Sequence, residues 1–132
     1  EVLAFANSQV TVSMTARELA AVAGWDAAGP VGGDHGILQV SGLAYAIVVG
    51  EGGAPARAGE VTVGGRPLDP DHTYLVAMPD FVAMMGPVYL GRPNPPFADL
   101  GKELSAVAAA AVERAGTVLA PVGGRIRGVP GR

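Results

Sequence analysis

The order of apolar and polar positions predicts a chain built from several strands. From Gln9 to Met14, polar and apolar residues alternate without a break, which is typical of a strand with one buried face. Leu38–Val49 and Thr73–Met78 are mostly apolar, as expected of strands that are covered on both faces. Gly64 and Gly65 separate two short runs, and this pair predicts a two-residue hairpin turn.

A first helix is predicted directly after the alternating strand. Thr15 and Glu18 have the spacing of a capping box, in which the hydroxyl and the carboxylate each satisfy a backbone amide at the helix start. The helix is therefore expected over Ala16–Ala23, and Gly24 is a natural end. Residues 27–36 are rich in glycine and have no apolar period, so they are predicted to form a surface loop.

A second helix is predicted near the C-terminal end. Asp99 is a suitable cap for its start, and Gly116 for its end. Apolar residues fall on one stripe at spacings of three and four: Leu100, Leu104, Val107, Ala108, Ala111 and Val112. Residues 84–96 contain many Gly and Pro residues, which predicts a long irregular loop.

Together these elements predict one α+β domain over the 132 residues. The expected architecture is a mixed β-sheet of about five or six strands packed by two main helices. The tail at 123–128 is expected to add one short strand. The first residues lack the basic start and long apolar core of a signal peptide. Because the chain also begins at Glu1, in what resembles the middle of a strand and without an initiator Met, we expect it to be an excised or processed piece of a longer protein.

Composition narrows the range of partners. The formal charge is -3 and the basic residues are scattered, so nucleic acid is an unsuitable partner. The longest apolar run, Ala106–Val112, is far shorter than the roughly 20 residues that span a membrane. There is no cysteine, so neither a disulfide framework nor a thiolate metal site is expected.

Catalytic chemistry is not indicated within this chain, and neither a catalytic residue nor a metal ligand is predicted. Only His35 and His72 are available as imidazole ligands, and a loop and a turn explain them more simply. The serines lack a Gly-x-Ser-x-Gly elbow, and the glycine-rich stretches lack the lysine of a phosphate loop.

Three segments resemble the C-terminal, substrate-binding domain of the 5'-nucleotidase/UDP-sugar hydrolase family: Leu38–Gly42, the hairpin at Val61–Leu68, and Asp69–Ala83. The resemblance implies a separate N-terminal metallophosphoesterase domain that holds divalent metal ions and carries catalysis. It also implies a periplasmic or extracellular location. This chain alone, which lacks that domain, is then expected to be inactive.

The resemblance also implies where a nucleotide would bind. In the family, two aromatic side chains sandwich the base, and Phe81 matches the second of them. Ile37 stands at the position of the first aromatic, and Pro87 replaces the carboxylate that holds the ribose. Tyr89 matches a later family aromatic. The alternative for Phe81 is an aromatic that only anchors the core or a loop.

Three further substrate-binding candidates follow from the same resemblance. Phe5 and Asn7 lie in a run similar to the family's Leu-Pro-Phe-Gly-Asn, and Gln39 lies in the Leu38–Gly42 segment. Phe5 is equally consistent with the core, Asn7 with a turn cap, and Gln39 with a solvated strand position. Trp25 is interpreted as a hydrophobic contact that closes the first helix, with a role in binding as the alternative.

Two functional hypotheses remain. In the first, the chain binds a nucleotide or nucleoside-like small molecule for a metal-dependent phosphoesterase of nucleotide catabolism, with its own N-terminal domain as partner. In the second, it is a non-catalytic interaction or stabilising module with a degenerate pocket. Ile37 and Pro87 favour the second hypothesis, because both replace a binding group.

Overall fold

The structure is a computed structural model that describes residues 6–32, 38–52, 54–118 and 123–130. Within these residues the α+β class is confirmed. The strands are β1 Ser8–Thr15, β2 Leu43–Val49, β3 Arg57–Val63, β4 Arg66–Pro67, β5 Thr73–Pro79, β6 Ala98–Glu103 and β7 Ile126–Pro130. The helices are α1 Ala16–Gly32, α2 Asp80–Met84, α3 Gly86–Tyr89 and α4 Leu104–Ala115.

The described strands form two sheets, whereas the sequence predicted one. A three-stranded antiparallel sheet has the order β5-β1-β6. A four-stranded mixed sheet has the order β4-β3-β2-β7, in which β7 runs parallel to β2. The Gly64–Gly65 hairpin is confirmed, because both glycines have positive φ angles, 58° and 76°.

The core lies beneath the central strand of the three-stranded sheet. Val10, Val12 and Met14 are at most 1% exposed, as the alternation predicted. Helix α1 adds buried Leu19 and Val22 to the same cluster. Partly buried side chains from both sheets pack against this cluster, so the two sheets share this core.

Helix α1 continues to Gly32, so the predicted end at Gly24 is wrong, as is the predicted loop from residue 27 to residue 32. A glycine inside a helix costs only about 1 kcal/mol relative to alanine. Beyond it, Asp26 and Ala27 are fully buried and continue the stripe of buried residues at spacings of three and four. The burial of this additional turn outweighs the cost of the glycine.

The second predicted helix is present, but its predicted start is wrong. Asp99 lies in β6 opposite Val10, and its side chain accepts a hydrogen bond from the Gly101 amide at 2.8 Å. Helix α4 begins five residues later at Leu104 and ends at Gly116, as predicted. None of its residues is fully buried, and it lies against β6.

Two other boundaries differ from the sequence prediction. Residues 84–96 are not irregular throughout, because α2 ends at Met84 and α3 occupies the next turn. Pro87 fits α3 because the first turn of a helix needs no amide donor there. Strand β2 begins at Leu43 rather than Leu38, while β7 confirms the short strand predicted in the tail. No helix among the described residues is long and apolar enough to cross a membrane.

The capping box at the start of α1 is confirmed. The Thr15 amide donates to Glu18 Oε2 at 2.8 Å, and the Glu18 amide donates to Thr15 Oγ1 at 3.3 Å. Glu18 Oε1 also pairs with the Arg92 guanidinium at 2.7 Å. The hydrogen bond from the Thr15 amide has the largest effect on Glu18, and the Arg92 guanidinium adds to it. Both stabilise the charged carboxylate and so lower the pKa of the Glu18 carboxyl.

Glu18→Gln is expected to lower the free energy of unfolding by about 0.5–1 kcal/mol at neutral pH. A lowered native pKa means that this contribution is present above the pKa of the unfolded glutamate and lost as the pH falls through the native pKa. Urea titrations at neutral and acid pH measure it. The exposed helix residue Glu113 supplies a matched control, Glu113→Gln. A loss in Glu18→Gln that is equal at both pH values would contradict the assignment.

Candidate functional site

The candidate site lies at the edge of the three-stranded sheet where β5 ends. Gln9 of β1 is paired with Pro79, the last residue of β5. Because these strands are antiparallel, the residue before β1 and the residues after β5 meet at the same edge. Asn7 and Phe81, two of the predicted binding residues, therefore lie at the same end of the sheet.

Phe81 lies in the first turn of α2 and is 43% exposed. Its ring meets the Tyr89 ring edge to face, with 5.5 Å between centroids and 61° between planes. The two rings come from successive short helices separated by a single residue, Met85. This contact brings together two residues that the sequence had suggested separately.

Methionine side chains extend the exposed apolar surface around Phe81. Met84 and Met85 follow it by three and four residues, which places them on the same side of the helical turn. Both are exposed. We call the surface formed by Phe81, Met84, Met85 and Tyr89 the Phe81 surface.

Buried residues hold the Phe81 surface on the core. Ala83 is fully buried and Leu90 is 3% exposed, so α2 and α3 are each anchored to the core cluster. Phe81 N–H donates to Asp80 Oδ1 at 2.7 Å, and Gly86 N–H donates to Asn94 Oδ1 at 3.1 Å. The helices that carry the Phe81 surface are thus held in place by burial in the core and by these two hydrogen bonds.

The other predicted binding residues are placed unequally. Asn7 is half-buried, and its backbone carbonyl accepts a hydrogen bond from the Leu104 amide at 2.8 Å, which ties the start of α4 to this edge. Gln39 is exposed and follows Leu38, whose side chain packs on the core cluster. Phe5 and Ile37 lie outside the described residues.

Comparison with known proteins identifies the family of this domain. A family model described as 5'-nucleotidase, C-terminal domain, matches residues 1–90, which is more than half of the chain. The chain belongs to this family. A search of curated proteins gave no significant match.

Solved structures share the fold of this 5'-nucleotidase C-terminal domain. A 5'-nucleotidase precursor from Thermus thermophilus is 28% identical, with a TM-score of 0.78, over 97% of this chain and 26% of that one. The Haemophilus influenzae NAD nucleotidase is 17% identical, with a TM-score of 0.77, over 98% of this chain and 25% of that one. The Thermus thermophilus sulfate thiohydrolase, in complex with glycerol, is 20% identical, with a TM-score of 0.60, over 92% and 22%. The chain therefore spans about a quarter of the length of these relatives.

A buried carboxylate in this 5'-nucleotidase C-terminal domain was missed by sequence reasoning. Asp26 is fully buried; its Oδ1 accepts the Leu38 amide at 2.7 Å and its Oδ2 accepts the Tyr45 hydroxyl. Burial, and then the hydrogen bond to Asp26, raise the pKa of Tyr45. The sequence did contain a signal for this burial. Asp26 follows Leu19 by seven residues, so the two lie on the same, buried face of α1.

Trp25 also has a different role from the predicted one. It lies inside α1 rather than at its end, and its indole N–H donates to the Val88 carbonyl at 2.9 Å. This bond crosses from α1 to α3, next to Tyr89. Nothing in the local sequence pairs these two positions, which are 63 residues apart.

His72 occupies the turn that the sequence predicted. The Asp71 amide donates to Asp69 Oδ1 at 3.0 Å, and the Asp69 amide donates to the Tyr74 hydroxyl at 2.8 Å. The His72 ring packs edge to face on Tyr74 at 4.7 Å between centroids. Among the residues that the structure describes, no three His, Cys, Asp or Glu side chains converge as metal ligands would. His35 lies outside those residues.

Proposed function

We propose that this chain is the substrate-binding domain of a secreted or periplasmic, metal-dependent 5'-nucleotidase-type phosphoesterase that takes part in nucleotide catabolism. The observation that carries the proposal is the placement of Phe81. It is 43% exposed at a strand end, held by Tyr89, in a chain whose family model is a 5'-nucleotidase domain. The nucleotide base would stack on its free face.

The chemistry of the Phe81 surface suits a nucleobase. Both faces of a base are apolar and π-rich, and stacking on one aromatic side chain contributes about 1–3 kcal/mol. Methionine side chains adapt to irregular apolar shapes, so Met84 and Met85 can cover the margin of a bound base. The side-chain amide of Asn7, at the same edge, offers both a donor and an acceptor to a base or a sugar.

The role of the domain in the reaction would be positioning. By family resemblance, divalent metal ions and hydrolysis belong to an N-terminal metallophosphoesterase domain, and this chain would hold the base so that the phosphate reaches the metals. Holding the reacting group in place in this way converts a bimolecular reaction into an effectively unimolecular one. The chain alone would then bind its ligand without hydrolysing it.

Phe81→Ala is expected to weaken the binding of adenosine and AMP by about 5- to 150-fold, which corresponds to the loss of one stacking face. Isothermal titration calorimetry of the 132-residue chain measures the affinity, and UDP-glucose tests whether a sugar ester binds as well. Truncating a half-exposed ring should leave the fold intact, which circular dichroism verifies.

Phe97 supplies the matched control for this titration. It is 40% exposed, close to the value for Phe81, but it precedes the residue of β6 that pairs with Thr11 and so lies away from the Asn7 edge. Phe97→Ala should bind each ligand as the unchanged chain does. Absence of heat from the unchanged chain with all three ligands, up to millimolar concentration, would refute nucleotide binding and favour the non-catalytic module.

A further inference from the structure

Helix α1 is joined to the segment that carries Tyr89 by three separate contacts. The first is the hydrogen bond from the Trp25 indole N–H to the Val88 carbonyl, at 2.9 Å. This bond holds the peptide unit between Val88 and Tyr89. Tyr89 in turn holds the Phe81 ring, so one chain of contacts runs from α1 to the exposed aromatic.

The second contact is steric. Gly91 lies so close to the indole that a Cβ atom there would be 2.4 Å from Trp25 Cγ and 2.5 Å from Cδ2. Real Cβ atoms do not approach other atoms this closely, so the backbone at this position passes directly against the tryptophan side chain. The hydrogen bond and the close approach thus fix the segment on both sides of Tyr89.

The third contact is the ion pair of Arg92 with Glu18, at 2.7 Å, in which the arginine side chain is 26% exposed. It ties the end of the segment to the first turn of α1. Trp25 is 43% exposed, so an ordinary role in the core does not explain it. Its indole is instead placed to hold the segment.

We propose that Trp25 is a positioning residue of the binding site. Its N–H fixes the peptide before Tyr89, and Tyr89 keeps the Phe81 ring in the orientation that presents a face to the ligand. For its effect on binding, this inference rests on the proposed function. The orientation of the two rings can be tested independently of any ligand.

The experiment compares Trp25→Phe with the unchanged 132-residue chain. The phenylalanine keeps an aromatic ring but removes the donor to Val88. Nuclear Overhauser effects between the Phe81 and Tyr89 rings report their contact, and calorimetry reports AMP affinity at a temperature where both proteins are folded. We expect weaker ring-to-ring effects and an affinity about three- to tenfold lower, as the loss of one neutral hydrogen bond implies.

Tyr74→Phe is the matched control, because it also removes one hydrogen bond between an aromatic side chain and the backbone, the 2.8 Å bond that the Tyr74 hydroxyl accepts from the Asp69 amide. It should leave both the ring contact and the AMP affinity unchanged. A merely structural role for Trp25 would make the two variants behave alike. If Trp25→Phe does not fold, Arg92→Met releases the same segment at its other end and is measured in the same way.

The outcomes separate this inference from the proposed function. If the unchanged chain binds AMP but Trp25→Phe keeps both the affinity and the ring contact, the positioning role is overturned and nucleotide binding stands. If the ring contact is lost while the affinity is unchanged, positioning for binding is likewise overturned. If the unchanged chain does not bind AMP, the proposed function fails, and the ring contact alone decides whether Trp25 orients Phe81.

Discussion

Asp26→Ala is expected to lower the free energy of unfolding by about 2–4 kcal/mol, because it leaves the buried Tyr45 hydroxyl and the partly buried Leu38 amide without an acceptor. The carboxylate is fully buried and accepts the Leu38 amide and the Tyr45 hydroxyl. A buried donor that loses its partner keeps the full cost of its desolvation. Urea denaturation, followed by circular dichroism and Trp25 fluorescence, measures the change.

Two comparisons isolate the origin of this effect. Asp99→Ala removes an exposed carboxylate that also accepts one backbone amide, so it should cost less than about 1 kcal/mol. Tyr45→Phe removes one of the two donors together with its need for an acceptor, so the double variant with Asp26→Ala should lose less than the sum of the single losses. Equal losses in Asp26→Ala and Asp99→Ala would show that the buried carboxylate does not join α1 to β2.

Local patterns were sufficient for the elements that depend on neighbouring residues. The alternation in β1 identified the buried face, and Thr15 and Glu18 identified the start of α1, because both patterns lie within a few residues of one another. The end of α1 is different. Its continuation past Gly24 depends on the burial of Asp26, whose partner Tyr45 lies 19 residues away, so the glycine at position 24 gave the wrong boundary.

The same distinction explains the division into two sheets and the arrangement of the site. Strand pairing depends on contacts between segments far apart in sequence, and Asp99 was mistaken for a helix cap because its pairing with Val10 is not visible locally. The resemblance suggested Phe81 and Tyr89 one at a time. Their contact, and its support by Trp25, follow only from the way α1 and α3 pack.

Gly91→Ala is expected to lower the free energy of unfolding by about 2–4 kcal/mol, through two separate causes. Gly91 has a φ of 63°, a conformation that costs an L-residue about 1–2 kcal/mol. A Cβ would also be 2.4–2.8 Å from three atoms of Trp25, so the indole must move and its bond to Val88 must lengthen. Urea denaturation measures the loss.

Gly101→Ala separates the two causes. Gly101 has the same φ of 63°, but a Cβ there would meet no atom within 4 Å, so only the conformational cost applies. The additional loss in Gly91→Ala is then the effect of displacing Trp25. Trp25→Ala in the same chain should remove the part that is due to the ring atoms Cγ and Cδ2, whereas the 2.8 Å contact of the added methyl with the Cβ of residue 25 remains. If Gly91→Ala and Gly101→Ala lose equal stability, Trp25 is not in close contact with the Gly91 backbone, and the steric evidence for its positioning role is removed. If the excess is found and the Phe81–Tyr89 ring contact weakens with it, the same tryptophan both stabilises the segment and orients the exposed aromatic.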